Sequence, residues 1–366
     1  MTHVGPPRQI AGRVSSTGSR RYRSRFAPRV APDFYRPLVD GLFTSSIGIG
    51  TYLGECADPD DSLYCESIRE AIRRGINLID SAINYRCQRS ERTIGTALRA
   101  AIAAGEVARD EVMVCTKGGY VPLDGTAPPS RNDYKEYVRR EFIDPGIIPP
   151  DELVADGHCL APAYIEHQVA RSRQNLGLAT IDLYYLHNPE QQLDAITDDA
   201  LRLRLRRAFQ ALEGRVAAGD IAHYGCATWQ GLRTPPGERG HLSLVDLVAI
   251  ARDVAGDDHH FAAVQLPINL AMPEAIRVPT QRLPDGRVVP LLDAAAALGV
   301  AVVASATLLQ SRLTAGLPSQ VREAFPRMTT DAQRAIAFVR HLPGVTAALV
   351  GMKSIAHLEQ NLEAAL

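Results

Sequence analysis

Eight short, nearly continuous apolar runs, each followed by a helical pattern, constrain this chain more than any other feature. They fall at about 46–50, 77–80, 112–116, 181–186, 222–226, 262–266, 300–304 and 346–350. Runs such as VMVC, IDLYYL, VAVVA and AALV suit strands buried on both faces of a parallel sheet, where neither face calls for polar side chains. Amphipathic helices lie between them. Ile68, Ala71 and Ile72 mark one; Leu201, Leu205, Ala208 and Leu212 another; Ile355, Leu358 and Leu362 the last. Ile165, Val169, Ser172 and Leu176 mark a helix with Pro162 near its start and Gly177 past its end, the usual start and stop residues. Eight such alternations predict an α/β chain closed into a single (β/α)8 TIM barrel. An open doubly wound sheet is the competing architecture, and its fingerprint is poorly met. In Gly48-Ile-Gly50-Thr-Tyr-Leu-Gly54 the last glycine falls one place late, and no acidic residue stands at a strand end about twenty positions on.

Two stretches break the rhythm. Residues 118–160, after the third strand, lack clear periodicity and carry turn signals at Asp144-Pro145-Gly146 and Pro149-Pro150. Residues 230–242 form a second polar stretch. Both leave the carboxyl ends of strands, the face where barrel enzymes keep their active sites. The first is therefore read as a pocket wall or lid, with a surface insertion as the alternative.

Residues 1–30 contain no Asp or Glu but carry Arg8, Arg13, Arg20, Arg21, Arg23, Arg25 and Arg29 among Ser, Gly and Pro. Such composition predicts a basic flexible arm ahead of a catalytic barrel over 31–366. An anionic partner or a neighbouring subunit are the other uses for it. The arm has no apolar run of the kind a secretory signal needs.

Hydrophobic residues make up 46% and charged residues 22%, ordinary globular usage, and the net charge of −1 argues against a nucleic-acid or membrane partner. The longest apolar stretch, from Ala294 to Leu309, is broken by Gly299, Ser305 and Thr307, so it reads as helix end, turn and strand rather than a membrane span. Cys56, Cys65, Cys87, Cys115, Cys159 and Cys226 lack CxxC spacing and read as free thiols in a reducing compartment, the cytoplasm. Nothing in the sequence speaks to oligomeric state.

Four polar residues stand at or near strand ends: Asp80 where NLID stops, Tyr85 five residues on, Lys117 ending VMVCTK, and His187 ending IDLYYLH. In a barrel these positions converge on one mouth. Their chemistry fits proton transfer. A phenol has a reference pKa near 10, and a neighbouring ammonium lowers it by stabilising the phenolate. A carboxylate holds the lysine in place and charged, and an imidazole orients a carbonyl or shares its proton. The phenol then serves as general acid while hydride reaches the carbonyl carbon. No side chain supplies a hydride, so a cofactor must.

These segments resemble the aldo-keto reductase family, from about residue 35 to the C-terminus. Gly75-Ile-Asn-Leu-Ile-Asp-Ser-Ala-Ile-Asn-Tyr-Arg, with Ser90-Glu91 and Ile94-Gly95-Thr-Ala-Leu98, is similar to its first signature. Ile181-Asp-Leu-Tyr-Tyr-Leu-His-Asn-Pro is similar to its fourth-strand segment, and Gly50-Thr-Tyr52 to the turn lining its pocket. The resemblance implies Tyr85 as proton donor supported by Lys117, Asp80 and His187, with NADPH extended across the mouth. It also implies Gln265 on the nicotinamide amide, Thr228, Ser305 and Leu308 in the cofactor site, and Lys353, Ser354 and Asn361 around the adenosine phosphate.

Departures from the family stand at Ala227-Thr228 in place of Ser-Asn, at Ser305 where an aromatic often stacks, and at His357 where an arginine is common. Loss of one stacking contact and one hydrogen bond costs on the order of 1–3 kcal/mol of cofactor binding. The reading is therefore an NADP(H)-dependent oxidoreductase acting on a small-molecule aldehyde, ketone or alcohol, with Tyr52 and Trp229 at the substrate pocket. Two alternatives remain open: a non-redox barrel such as a dehydratase or isomerase, and a cofactor-binding regulatory subunit. No metal is expected, because His259-His260 and His158-Cys159 lack further ligands at useful spacing. Cys87 and Cys226 read as small buried residues rather than nucleophiles. Glu190 faces either the mouth or solvent.

Overall fold

A computed structural model describes residues 9–155 and 157–365. Eight parallel strands close into a barrel: β1 (Ile47–Gly50), β2 (Leu78–Asp80), β3 (Met113–Gly118), β4 (Ile181–His187), β5 (Ile221–Ala227), β6 (Phe261–Pro267), β7 (Ala301–Ser305) and β8 (Val345–Gly351). Each pairs with its sequence neighbours, and β8 closes on β1. Every strand lies where the apolar runs predicted one. The strands are buried almost throughout because their inner faces fill the barrel and their outer faces meet the helices. The helix Pro162–Leu176 begins on proline and ends on Gly177 at φ 62°, as its flanking residues imply.

The N-terminal stretch departs from expectation. Residues 1–8, with Arg8, lie outside the described residues. Beyond them, Ser16–Phe26 is a helix capped by Ser15 and packed across the amino ends of the strands. The Tyr22 hydroxyl donates to the carbonyls of Ile72 and Ile76 at 2.6 and 3.0 Å. Arg21 and Arg25 pair with Glu111 at 2.8 and 2.5 Å. Gly18 lies against the backbone of Asp110, where a Cβ would come within 2.0 Å of its carbonyl oxygen. Arg21 and Arg25, read as part of a flexible arm, thus find carboxylates of this same chain, and Tyr22 and Phe26 supply the apolar anchor that composition alone obscured.

Residues 118–160 contain a helix, Arg131–Val138, running into a π-helical turn, Arg139–Ile143. Val121, Val138, Phe142, Ile148, Cys159 and Tyr164 give the insertion a small core of its own. Short antiparallel hairpins pair Tyr35–Pro37 with Phe43–Ser45 and Gln281–Arg282 with Val288–Val289. Among the described residues no helix is long and apolar enough to cross a membrane.

Candidate active site

The carboxyl ends of the strands surround a cavity of about 450 Å3. Asp80 ends β2, Lys117 stands one residue from the end of β3, and His187 ends β4. The Lys117 ammonium donates to Asp80 Oδ1 at 2.5 Å and to the Ser81 carbonyl at 2.6 Å. Its side chain is only 1% exposed. Burial works against its charge, but Asp80 and Tyr85 outweigh that and hold its pKa above the ordinary lysine value. Gly118, next along the strand, lies against Tyr184 and Gln168, where a Cβ would meet the Tyr184 hydroxyl at 2.0 Å. Thr116, the neighbour of Lys117, donates to the buried carboxylate of Glu91 at 2.7 Å.

Tyr85 sits in the loop after β2, its ring centroid 4.9 Å from the Lys117 nitrogen and 5.8 Å from the His187 ring. A neighbouring ammonium acting alone would lower the phenol pKa. Instead burial, aided by Asp80, raises it above the ordinary tyrosine value, and the pull of Lys117 is the smaller effect. His187 lines the cavity as a neutral imidazole: burial, then the Lys117 charge, then His158 hold its pKa well below the usual value.

Gln265 on β6 donates its side-chain N–H to Asp80 Oδ2 at 2.8 Å, so one carboxylate ties Lys117 to Gln265. Gln265, Ala227, Thr228, Ser305 and Leu308 all line the same cavity, as do Tyr52 and Trp229 at its rim. Thr228 and Thr307 are buried there, and their hydroxyl oxygens have no partner among the described residues. A buried unpartnered hydroxyl costs free energy unless a ligand satisfies it, so both fit a polar group bound in the cavity.

Lys353, Ser354 and Asn361 lie apart from the cavity, beyond β8 on the segment leading into and along the helix Ile355–Leu362. Ser354 caps that helix by accepting the His357 N–H. Lys353 donates to both oxygens of Asp60, each at 2.9 Å, and Asp60 is buried at the start of the helix Asp58–Arg73. Lys353 thereby holds the Asp60 carboxyl below its usual pKa. The lysine expected to be free for a phosphate therefore already has a carboxylate partner.

Tyr120, Gln310 and Ser311 line the cavity without any recognisable signal in the sequence, whereas Thr51, Asn84 and Asn188 stood inside the family-like motifs with no role assigned to them. Most sit in loops, where no periodicity marks a direction. Tyr120 is the insertion's contribution to the wall, with its ring 5.0 Å from that of His187. His158 ties the insertion to β4 by donating its ring N–H to the His187 carbonyl at 2.8 Å and accepting from Gln192 at 2.7 Å. Glu190 faces neither solvent nor the cavity. One of its oxygens accepts the backbone N–H groups of Trp229, Gln230 and Gly231 at 2.7, 3.0 and 3.2 Å.

The sequence matches the model of the aldo/keto reductase family over residues 46–234, from β1 through the loop after β5. It is 32% identical over 148 residues to the NADH-specific methylglyoxal reductase of Escherichia coli (strain K12), which is 40% of this chain and 37% of that protein. It is also 32% identical over 187 residues to D-threo-aldose 1-dehydrogenase of a Pseudomonas species, 51% of this chain and 49% of that protein. The chain thus spans about half or less of the length of these relatives. The structure of an aldo/keto reductase from Klebsiella pneumoniae in complex with NADP and acetate superposes with a TM-score of 0.60 at 22% identity, covering 90% of this chain and 89% of that one. The barrel is shared with that enzyme, and the segment carrying Asp80, Tyr85, Lys117 and His187 lies inside the matched family region. This chain belongs to the aldo/keto reductase family.

Proposed function

We propose that this protein is a nicotinamide-dependent oxidoreductase that reduces an aldehyde or ketone to an alcohol, or runs the reverse, with Tyr85 as general acid. NAD(P)H-dependent carbonyl reduction is general for its family. The observation that carries the proposal is the buried Lys117–Asp80 ion pair beneath Tyr85, with neutral His187 on the same cavity wall.

A nicotinamide coenzyme, when bound here, would be the source of the hydride that reaches the carbonyl carbon. Tyr85 gives its hydroxyl proton to the carbonyl oxygen, and the Lys117 ammonium stabilises the phenolate left behind. Asp80 keeps that ammonium charged and fixed. His187, neutral at working pH, presents one donor and one acceptor nitrogen with which to orient the carbonyl. Gln265 and Thr228 would hold the carboxamide of the coenzyme, and Ser305 and Leu308 would line its path. Ala227 and Ser305 offer small side chains where the family has larger ones, which leaves volume for the ring without stacking on it.

NADP(H) is the coenzyme proposed, with Lys353 and Ser354 toward its 2′-phosphate. The NADP bound in the Klebsiella pneumoniae enzyme supports it. One observation favours NADH as a second reading: Lys353 is engaged by both oxygens of Asp60, and the Escherichia coli relative is named for NADH.

Titration of the purified protein with each coenzyme, read by quenching of its one tryptophan, Trp229, decides between them. Turnover of carbonyl substrates that Tyr85→Phe abolishes, with coenzyme binding retained, is the expected result. Absence of binding by either coenzyme would transfer the case to a non-redox barrel.

A further inference from the structure

The loops after β1 and β2 bring together two cysteines that are 31 positions apart and that no spacing rule would pair. The sulfurs of Cys56 and Cys87 lie 3.2 Å apart. A disulfide needs about 2.05 Å, so an approach of little more than an ångström separates the dithiol from the bond. The other four cysteines have no such neighbour among the described residues.

The pair is held in place from both sides. Arg86 donates to the carbonyls of Glu55 and Ala57, the residues flanking Cys56, at 2.9 and 3.5 Å. Its guanidinium also pairs with Asp61 at 2.5 Å. The Cys87 carbonyl accepts from the Gly125 N–H at 2.9 Å, and the Gln88 side chain donates to the Leu123 carbonyl at 3.0 Å. Arg86, Cys87 and Gln88 occupy the left-handed region in succession, at φ 49°, 53° and 67°, a conformation that persists only where the surroundings impose it. Two thiols fixed in contact have a high effective concentration toward each other, so ring closure outruns reaction with a second external thiol.

We infer that Cys56 and Cys87 form an oxidisable dithiol, a modification site for low-molecular-weight disulfides and hydroperoxides that closes to a Cys56–Cys87 bond between the loops after β1 and β2. Cys56 is the half-buried, reachable sulfur, whereas Cys87 is buried. Burial, then the contact with Cys56, pushes the Cys87 thiol up to about 12, which suits it to the second step rather than the first. With a disulfide RSSR, Cys56 displaces one RS⁻ to give a mixed disulfide. Cys87 then attacks the Cys56 sulfur and expels the second RS⁻. The two cysteine protons end on the two released thiols, so two thiols are oxidised and one disulfide is reduced. With a hydroperoxide ROOH, Cys56 becomes a sulfenic acid with release of ROH, and Cys87 condenses with it to release water.

The bond would tie the loop of Tyr52 to the loop of Tyr85, whose rings already meet edge to face at 5.0 Å. Cys56 follows Tyr52 by four residues, and Cys87 follows Tyr85 by two. Closing the gap therefore shifts the backbone next to the proposed proton donor. This coupling to turnover rests on the oxidoreductase reading; the dithiol chemistry does not.

The test is native-state oxidation of the full chain with oxidised glutathione and, separately, hydrogen peroxide, followed by intact mass and peptide mapping. The expected result is a loss of two hydrogens, one Cys56–Cys87 linked peptide, reversal by dithiothreitol, and no such species in Cys56→Ser or Cys87→Ser. Retention of glutathione on Cys56 without closure, scattered pairings, or no reaction before unfolding would each overturn the site. In protein shown by mass to be oxidised, carbonyl turnover falls several-fold and recovers on reduction, whereas oxidant leaves the turnover of Cys56→Ser at its starting rate. Unchanged turnover in the oxidised wild type would overturn the coupling while leaving the dithiol in place.

Discussion

Replacing Asp80 with asparagine removes one charge and almost no volume from the centre of the site. The amide oxygen retains the Lys117 N–H now made to Oδ1, and Gln265 meets the new N–H by turning its own amide. What is lost is the counter-charge of an ammonium that is 1% exposed. Removing one partner of a buried pair costs about 3–5 kcal/mol. The lysine has one escape, release of its proton, which at pH 7 costs about 4.6 kcal/mol measured from the reference lysine pKa of about 10.4. Either route gives a loss near 4 kcal/mol. With an unfolding entropy of about 2.1 cal/mol/K per residue, that lowers Tm by about 5 °C for a chain of this length.

The pH dependence has a definite sign. In the wild type Lys117 titrates above its ordinary value, so its contribution is complete below that value and disappears as pH rises through the folded pKa. In Asp80→Asn burial is opposed only by Tyr85, and the lysine pKa drops below the unfolded value. The deficit is then largest near neutrality and shrinks toward alkaline pH. Calorimetry from pH 6 to pH 10 measures it, and turnover is expected to fall by about a hundredfold, the lower end of what a positioned acid contributes. Asp80→Asn with Lys117→Met should regain most of the stability and none of the turnover. A single variant as stable as the wild type at pH 7, or a double variant less stable than the single, would refute the reasoning.

Asp60→Asn should release Lys353 and shift coenzyme preference toward NADPH by about tenfold, the worth of one charge-assisted hydrogen bond; equal Kd ratios in variant and wild type would exclude Lys353 from phosphate recognition. Glu190→Ala leaves the N–H groups of Trp229, Gln230 and Gly231 without their acceptor, and should cost about 2–4 kcal/mol with a shift in Trp229 emission, checked by denaturant unfolding followed at the tryptophan. His158 is held down to about 4 by burial, so folding requires its neutral form. Its contribution is complete above the unfolded pKa of about 6.5 and is lost as pH falls toward 4, so stability should decline across that window and decline less in His158→Gln.

Apolar runs placed all eight strands to within a residue or two, because a strand buried on both faces needs an unbroken apolar stretch and the sequence displays it directly. Asp80, Lys117 and His187 were legible for a related reason: each interrupts or ends such a run, and in a closed parallel barrel all strand ends of one sense share one mouth. The family motifs carried Tyr85 and Gln265 to the same place.

Partnership between distant residues was decided only by the closed fold. Lys353 and Asp60 are 293 positions apart, and nothing local to either announces that the lysine's charge is already matched. Arg21 and Arg25 of the N-terminal helix read as part of a flexible arm until Glu111 and Asp110 are seen beneath them. Cys56 meets Cys87 only because the loops after two neighbouring strands leave the barrel side by side. Even the direction of the Tyr85 shift depended on folding, since a nearby ammonium and burial act oppositely and only three-dimensional surroundings set their balance. Periodicity and strand-end chemistry are local and survive in one dimension, whereas charge pairing, desolvation and thiol contact depend on through-space distance, which chain order does not encode.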